Sequence, residues 1–440
     1  MKHVLVLGAG RVAPPLVRYL LALPDVHVTV CDARYDAPSA LVGGHPRGRA
    51  VVLSIQDADR LIELIGEHEL VVSLLPAPLH PHVAELCVRH GRHLVTTSYV
   101  GPAMRALDEP ARAAGVVLLN EAGLDPGIDH MSAMRVIDDV RRRGGRVVSF
   151  RSYCGGLPAP ESNDNPWGYK FSWSPRGVCT AGKNGAVFLR DGARVEISAS
   201  DLFLARERVP VAGVPGWPEL EGYPNRDSLS YIDTYGLDGV ETMFRGTLRY
   251  PGWCETMKAV ADLGLLDESP MTVEPGLTLA GWLARASRAD GAADLREHIA
   301  RVASPAVVER LAWLGLLSDE PVPALPQPTT TLDVLAARME QKMAYRPGER
   351  DMVVMAHRFI ARWPDGREER MTSTLTQFGQ PDGDSAMART VGLPAAIAVR
   401  LILEGGFREP GVHIPVTPAL YEPILAELEA VGVRFEEVAT

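Results

Sequence analysis

Cysteine is scarce in this sequence, and none of it sits in a spacing that chemistry would use. The five thiols, Cys31, Cys87, Cys154, Cys179 and Cys254, are odd in number and scattered, with no C-x-x-C pair. That pattern excludes a disulfide scaffold and argues against zinc or dithiol chemistry. Free cysteine otherwise packs as a small hydrophobe. Positive charge is short as well: 45 Lys and Arg face 55 Asp and Glu, a formal net charge of −10. No basic cluster offers the phosphate-neutralising surface that nucleic-acid binding requires. Uninterrupted apolar runs fall short of the roughly 18 residues that cross a bilayer. Glycines break the apolar stretch of residues 1–10 before a secretory core is complete. The expectation is a cytoplasmic protein with neither membrane nor nucleic-acid partners. No G-x-S-x-G, no H-E-x-x-H and no internal repeat occurs, which removes the common hydrolase signatures and the solenoid folds.

What is present is a long chain of ordinary globular composition, 440 residues with 46% hydrophobic and 23% charged, enough for two or three packed units. Over the first 120 residues, short apolar runs alternate with helical patterns: His3 to Leu7, His27 to Cys31, Ala50 to Ser54, Leu70 to Leu75, His93 to Thr97 and Val116 to Leu119. Near-continuous hydrophobic runs with intervening helices predict an α/β, doubly wound parallel sheet of the Rossmann type. After about Gly145 the pattern turns to longer strands with Asp191-Gly192 and Asp365-Gly366 hairpin signals, which predict a second α/β domain with a mixed sheet. Between about Glu268 and Met343 the periodicity is helical, over Leu277 to Ala286, Ala293 to Val302, Pro305 to Leu316 and Leu332 to Met343. The expected division is a dinucleotide-binding domain over 1–125, a second domain over 126–267 and 346–384, and a helical insertion over 268–345. In Ser385 to Leu403, Ala388, Gly392, Ala395, Ala396 and Ala398 recur at helical spacing, so this helix is suited to a close backbone approach.

Gly8-Ala9-Gly10-Arg11-Val12-Ala13 follows the first predicted strand and precedes a helix. In that context G-x-G-x-x-A is a dinucleotide fingerprint: Gly8 makes the turn, Gly10 lets pyrophosphate reach the backbone, and Ala13 keeps helix and strand close. Asp32 ends the second strand, where a carboxylate accepts the ribose hydroxyls of NAD and repels the extra phosphate of NADP. Arg34, two residues on, pulls toward that phosphate. NAD is favoured, with NADP the alternative.

Asn120 to His130 leaves the sixth strand at the edge of an open sheet where ligands collect. Asp129 reads as a cap for a helix starting near Met131. Asp125, fixed beside Gly123, Pro126 and Gly127, reads as a cap or as a functional carboxylate. Cys154 lies in a rigid loop, Ser152 to Pro160, and the polar and aromatic run Asn163 to Ser174 reads as the wall of a cleft. Arg226 and Arg249 suit carboxylates held by paired N–H bonds. Arg245, Thr247 and Arg249 alternate along one strand and share a face. His80 and His82 have no third ligand at useful spacing, so no metal is expected.

At these motifs the sequence resembles the glutamate-forming saccharopine dehydrogenase family, which includes a fungal reductase and the dehydrogenase half of a bifunctional lysine-degrading enzyme. The similar segments include Thr97-Ser98-Tyr99, Gly123 to His130, Ser152 to Glu161, Tyr169 to Pro175, Tyr223 to Ser228, Arg245 to Tyr250 and Ser385 to Pro394. The resemblance implies nucleotide contacts at Gly10, Arg11, Val12, Asp32, Ala33, Arg34, Ser54, Ile55, Leu124, Asp125 and Pro126, beside the Gly8 that the fingerprint already assigns. It implies substrate contacts at Ser98, Tyr99, Asp125, Cys154, Arg226, Thr247 and Arg249; the mechanistic expectation is that Asp125, with Tyr99 and Cys154 nearby, manages protons directly or through water. It also implies a substrate-binding and dimerisation role for the second domain, a homodimer, and a C-terminal segment, about 385–440, closing back on the first domain. The expected reaction is oxidation of saccharopine to glutamate and 2-aminoadipate 6-semialdehyde, or the reverse. The fungal NADP form carries Cys-Arg-Thr where this chain has Asp32-Ala33-Arg34. The alternatives are a carboxylated-polyamine dehydrogenase of the same superfamily and a non-catalytic NAD-binding protein, because fold alone does not prove chemistry.

Overall fold

The computed structural model describes residues 1–289 and 295–439. They group into two compact units. The first comprises Met1–Arg146, Trp363–Asp365 and Gly383–Glu436, and the second holds the other described residues.

The first unit is built on β1 (Lys2–Leu7), β2 (Val26–Asp32), β3 (Gly48–Val52), β4 (Leu70–Ser73), β5 (His93–Thr96) and β6 (Val117–Leu119). Consecutive residues such as Leu5 and Val6 are both fully buried, because helices cover both faces of a parallel sheet. The strand order is Gly411–His413, β6, β5, β4, β1, β2, β3, and all neighbours run parallel. The order reverses beside β1, which places the glycine turn after Leu7 at a switch point, where ligands of open α/β sheets bind. The seventh strand, Gly411–His413, has three residues, too few for periodicity to reveal.

Helix Ala386–Glu404 is, among the described residues, the helix long and apolar enough to match a membrane span, and 67% of that apolar window is buried inside the protein. Arg389 and Arg400 interrupt the run, which is why a count of consecutive apolar residues passes over it. A Cβ built on Gly392 would lie 2.7 Å from the Val12 carbonyl oxygen. The small residues therefore bring this helix onto the start of helix Ala13–Ala22.

The second unit carries a nine-stranded sheet. Its strands include β7 (Arg146–Pro158), β8 (Ala186–Arg190), β9 (Ala193–Ile197), β10 (Glu207–Pro210), β11 (Glu219–Pro224) and β12 (Thr242–Arg249), followed by Asp351–Arg362, Glu368–Phe378 and Glu436–Ala439. The sheet is mixed: β12 runs parallel to β7 and antiparallel to β11. Both Asp-Gly signals fall at hairpins, with Arg190 opposite Ala193 and Arg362 opposite Glu368. The helical region contains Leu279–Ala286, Leu295–Ala300, Pro305–Trp313 and Thr331–Lys342. Residues 293–294 of the predicted second helix lie outside the described residues. Thr278, Ser304 and Thr330 start three of these helices, their side chains accepting from the amides of Gly281, Val307 and Asp333. One apolar core runs from Tyr153, Leu248 and Trp253 of the sheet side into Leu283, Leu311 and Met339 of the helices.

Candidate active site

The nucleotide end follows from the glycine turn. Gly8 has φ +102°, and a Cβ there would meet the Leu74 carbonyl oxygen at 3.1 Å, so a side chain would both strain the turn and crowd β4. At Gly10 an added Cβ finds no atom within 4 Å, which leaves the backbone open to a bulky anion. Helix Ala13–Ala22 has no side-chain cap, and prolines occupy its first turn. Its N-terminus suits a phosphate. Asp32 accepts the Ala9 amide at 2.9 Å and the Arg34 amide at 3.3 Å. A cleft of about 290 Å³ opens here, lined by Gly8, Asp32, Ala33, Ser54 and Ile55 among others. Arg11 and Arg34 are exposed beside it. These residues fit a dinucleotide: a backbone cradle for pyrophosphate and a strand-end carboxylate for a ribose.

The loop after β6 is folded tightly. Gly127 has φ +146°, and a Cβ on it would fall 2.1 Å from the Gly123 carbonyl oxygen; only glycine fits. The Gly123 amide donates to the Pro126 carbonyl, and the Asp129 amide to that of Leu124. This presents the Asp125 carboxylate to Tyr99, whose hydroxyl donates to Oδ1 at 2.9 Å. Helix Ile128–Arg142 starts earlier than expected, so Asp129 does not cap a helix near Met131. Its Oδ1 instead accepts the Gly127 amide at 2.6 Å. Buried Glu121 accepts the Val100 amide at 2.9 Å and lies 2.6 Å from His130 Nε2. The Tyr99 and Asp125 segments are thereby braced to one carboxylate. Sequence reading missed this role for Glu121 and His130; the signal was a glutamate and a histidine flanking the same glycine-rich loop.

In the second unit, Cys154 lies not in a loop, as expected, but within β7, where it is the register partner of Thr247 on β12. Two residues beyond Thr247, Arg249 is 3% exposed. Its Nη1 donates to the Leu248 carbonyl at 2.7 Å, while Nε has no partner. The guanidinium lies over Tyr169 at 5.0 Å and Trp253 at 5.5 Å. No carboxylate pairs with it among the described residues. A desolvated cation without a counter-ion is costly, and it makes a strong receptor for an anion. Arg245 is differently employed, stacked on Tyr231 at 4.2 Å. Arg226 is exposed in the loop after β11 with φ 50°. Within the run Asn163 to Ser174, Trp167 and Tyr169 to Ser172 are buried. Trp167 donates to the Arg310 carbonyl, and Lys170 is ion-paired with Asp164 and Glu349. Tyr169 of that run reaches Arg249.

The parallel sheet and its glycine turn define a dinucleotide-binding protein of the Rossmann type. Residues 4–119 match the family described as "Saccharopine dehydrogenase NADP binding domain", and residues 123–433 the "Saccharopine dehydrogenase C-terminal domain". The chain is 39% identical over 450 residues to "Saccharopine dehydrogenase [NADP(+), L-glutamate-forming]" of Schizosaccharomyces pombe, covering 99% of both proteins. It is 38% identical to the mitochondrial alpha-aminoadipic semialdehyde synthase of Bos taurus, covering all of this chain and 48% of that one. The apo structure of the L-Glu-forming saccharopine dehydrogenase from Saccharomyces cerevisiae superposes with a TM-score of 0.90 over 100% of both chains, at 39% identity. The chain belongs to the saccharopine dehydrogenase family.

Proposed function

We propose that this protein oxidises the secondary amine of saccharopine, using a nicotinamide dinucleotide and water, to L-glutamate and 2-aminoadipate 6-semialdehyde, or runs the reverse condensation in lysine metabolism. The observation that carries the reading is Arg249: a buried guanidinium lacking a counter-charge, in a chain similar along its whole length to L-glutamate-forming enzymes.

The nicotinamide ring supplies the acceptor for a hydride from the lysine-derived methylene carbon. The C=N bond that results takes up water, and the carbinolamine collapses with glutamate departing as the amine. In this proposal Arg226, Thr247 and Arg249 hold substrate carboxylates, as bidentate donors do. Asp125, hydrogen-bonded to Tyr99, takes the proton released as water adds, and Cys154 and Tyr99 assist proton transfer. Gly8, Gly10, Arg11 and Val12 receive the pyrophosphate. Ser54, Ile55, Ala33, Leu124 and Pro126 flank the nucleotide. For the ribose, the Asp32 carboxylate supports NAD, while exposed Arg34 and the names of the fungal relatives support NADP. A homodimer belongs to the same proposal, from the family resemblance.

The test incubates purified enzyme with saccharopine and NAD or NADP in separate reactions, follows reduced nucleotide, and identifies the released amino acid. Glutamate is expected, with the higher kcat/KM for NAD. Release of lysine would refute the choice of bond, and a preference for NADP would refute the role given to Asp32.

A further inference from the structure

His80 is one of the two histidines that the sequence set apart without a use. It opens helix His80–His90 and is 3% exposed. Its Nδ1 lies 2.8 Å from Ser73 Oγ at the end of β4. On the other side of the ring, Nε2 lies 2.8 Å from Ser98 Oγ and 3.2 Å from Thr96 Oγ1, at the end of β5. The ring thus spans three hydroxyls at the carboxyl edge of the sheet, and Ser98 adjoins Tyr99, which holds Asp125.

Burial holds this imidazole neutral, its pKa lowered to about 4. A neutral ring carries one N–H and one lone pair, so the hydroxyls on its two sides are coupled. With the proton on Nδ1, the ring donates to Ser73 and its Nε2 lone pair accepts from Ser98, the nearer hydroxyl at 2.8 Å, or from Thr96 at 3.2 Å; when Ser98 is the donor it offers a ligand only lone pairs. With the proton on Nε2, Ser73 donates to Nδ1 and Ser98 receives an N–H. The Ser98 proton is then released toward a ligand. A carboxylate oxygen can only accept, so it selects the second arrangement.

We infer that His80 is a positioning residue, its imidazole turning the Ser98 hydroxyl into a donor for an anionic group of the amino-acid substrate. The inference rests on the reading of Ser98 as a substrate contact.

The experiment compares Ser98→Ala, His80→Phe, His80→Gln, His80→Asn and the His80→Phe/Ser98→Ala double variant in the full chain. It measures KM for saccharopine, kcat, the dissociation constant of the reduced nucleotide, and Tm. Glutamine can place an N–H near the lost Nε2, whereas asparagine matches only Nδ1. His80→Phe, His80→Asn and Ser98→Ala are each expected to raise KM about tenfold, the worth of one hydrogen bond to a charged group. Over the same series kcat and nucleotide affinity should stay within about twofold, and His80→Gln should recover most of the loss. The double variant should be no worse than either single one, because coupled residues do not add. Unchanged KM in His80→Phe beside a raised KM in Ser98→Ala overturns the inference alone, as do effects that multiply in the double variant. A silent Ser98→Ala overturns both the inference and the substrate reading of Ser98. If His80→Phe does not fold, the Gln and Asn pair decides: equal KM values for the two overturn the inference.

Discussion

In the proposed function, Arg249 trades stability for recognition. Its guanidinium is desolvated against Tyr169 and Trp253, with Tyr223 close enough to interact electrostatically, without a carboxylate among the described residues, an arrangement that folding alone disfavours. Replacing a buried, uncompensated charge by an apolar group of similar volume is commonly neutral or stabilising. Arg249→Met should therefore keep or raise Tm while raising KM for saccharopine by about two orders of magnitude, the scale of a lost charge-assisted pair. A Tm drop of several degrees would mean that the arginine serves the core. Asp125 is read differently, because its partner survives amidation. Tyr99 can still donate to the side-chain oxygen in Asp125→Asn, so loop geometry should hold while proton acceptance is lost. The expected result is a kcat lower by about 10² to 10⁴ with a changed pH profile. Near-normal turnover with the original profile would remove Asp125 from proton transfer.

Elements were legible where one physical cause dominated. The strands of the first unit could be read because a sheet covered on both faces requires continuous apolar runs, and the hairpins because Asp-Gly matches their tight turns. Gly411–His413 was hidden by its length. The Glu121–His130 contact and the Ser73–His80–Ser98 chain were hidden because a buried polar pair is defined by partners that spacing does not reveal. Likewise the ring of Tyr169, Tyr223 and Trp253 around Arg249 gathers residues far apart in sequence. Helix Ala386–Glu404 lies between these cases: its small-residue stripe announced a close approach but not to what. Since Gly392 meets the Val12 carbonyl oxygen, Gly392→Val should push the helix off the glycine turn, costing roughly 1–3 kcal/mol of stability. It should also weaken nucleotide binding at least tenfold, measured by fluorescence titration. Intact nucleotide affinity in the folded variant would show that the turn does not depend on this contact.

At the scale of the whole molecule, the buried histidines set a direction for stability against pH. Burial lowers His80 to about 4 and also lowers His68 and His93. In the unfolded chain these rings titrate near 6.5. Between that value and the lower folded ones, the unfolded state binds more protons, so stability is complete above about pH 6.5 and falls as pH drops. For His80 the loss approaches about 3 kcal/mol by pH 4. Carboxylates held low by hydrogen bonds and ion pairs, such as Asp108 with Arg112 and Asp164 with Lys170, add a second decline at more acid pH. Their pKa values are depressed on folding, so their contribution is lost as pH falls through the folded values. Urea midpoints should therefore decrease from pH 7 to pH 5, ahead of the carboxylate range. The His80→Gln protein, which has no ring to protonate at that position, should show a shallower slope over that interval. Parallel slopes for the two proteins would mean that His80 is protonated in the folded state as readily as in the unfolded chain, contradicting the neutral ring on which its pairing with Ser98 depends.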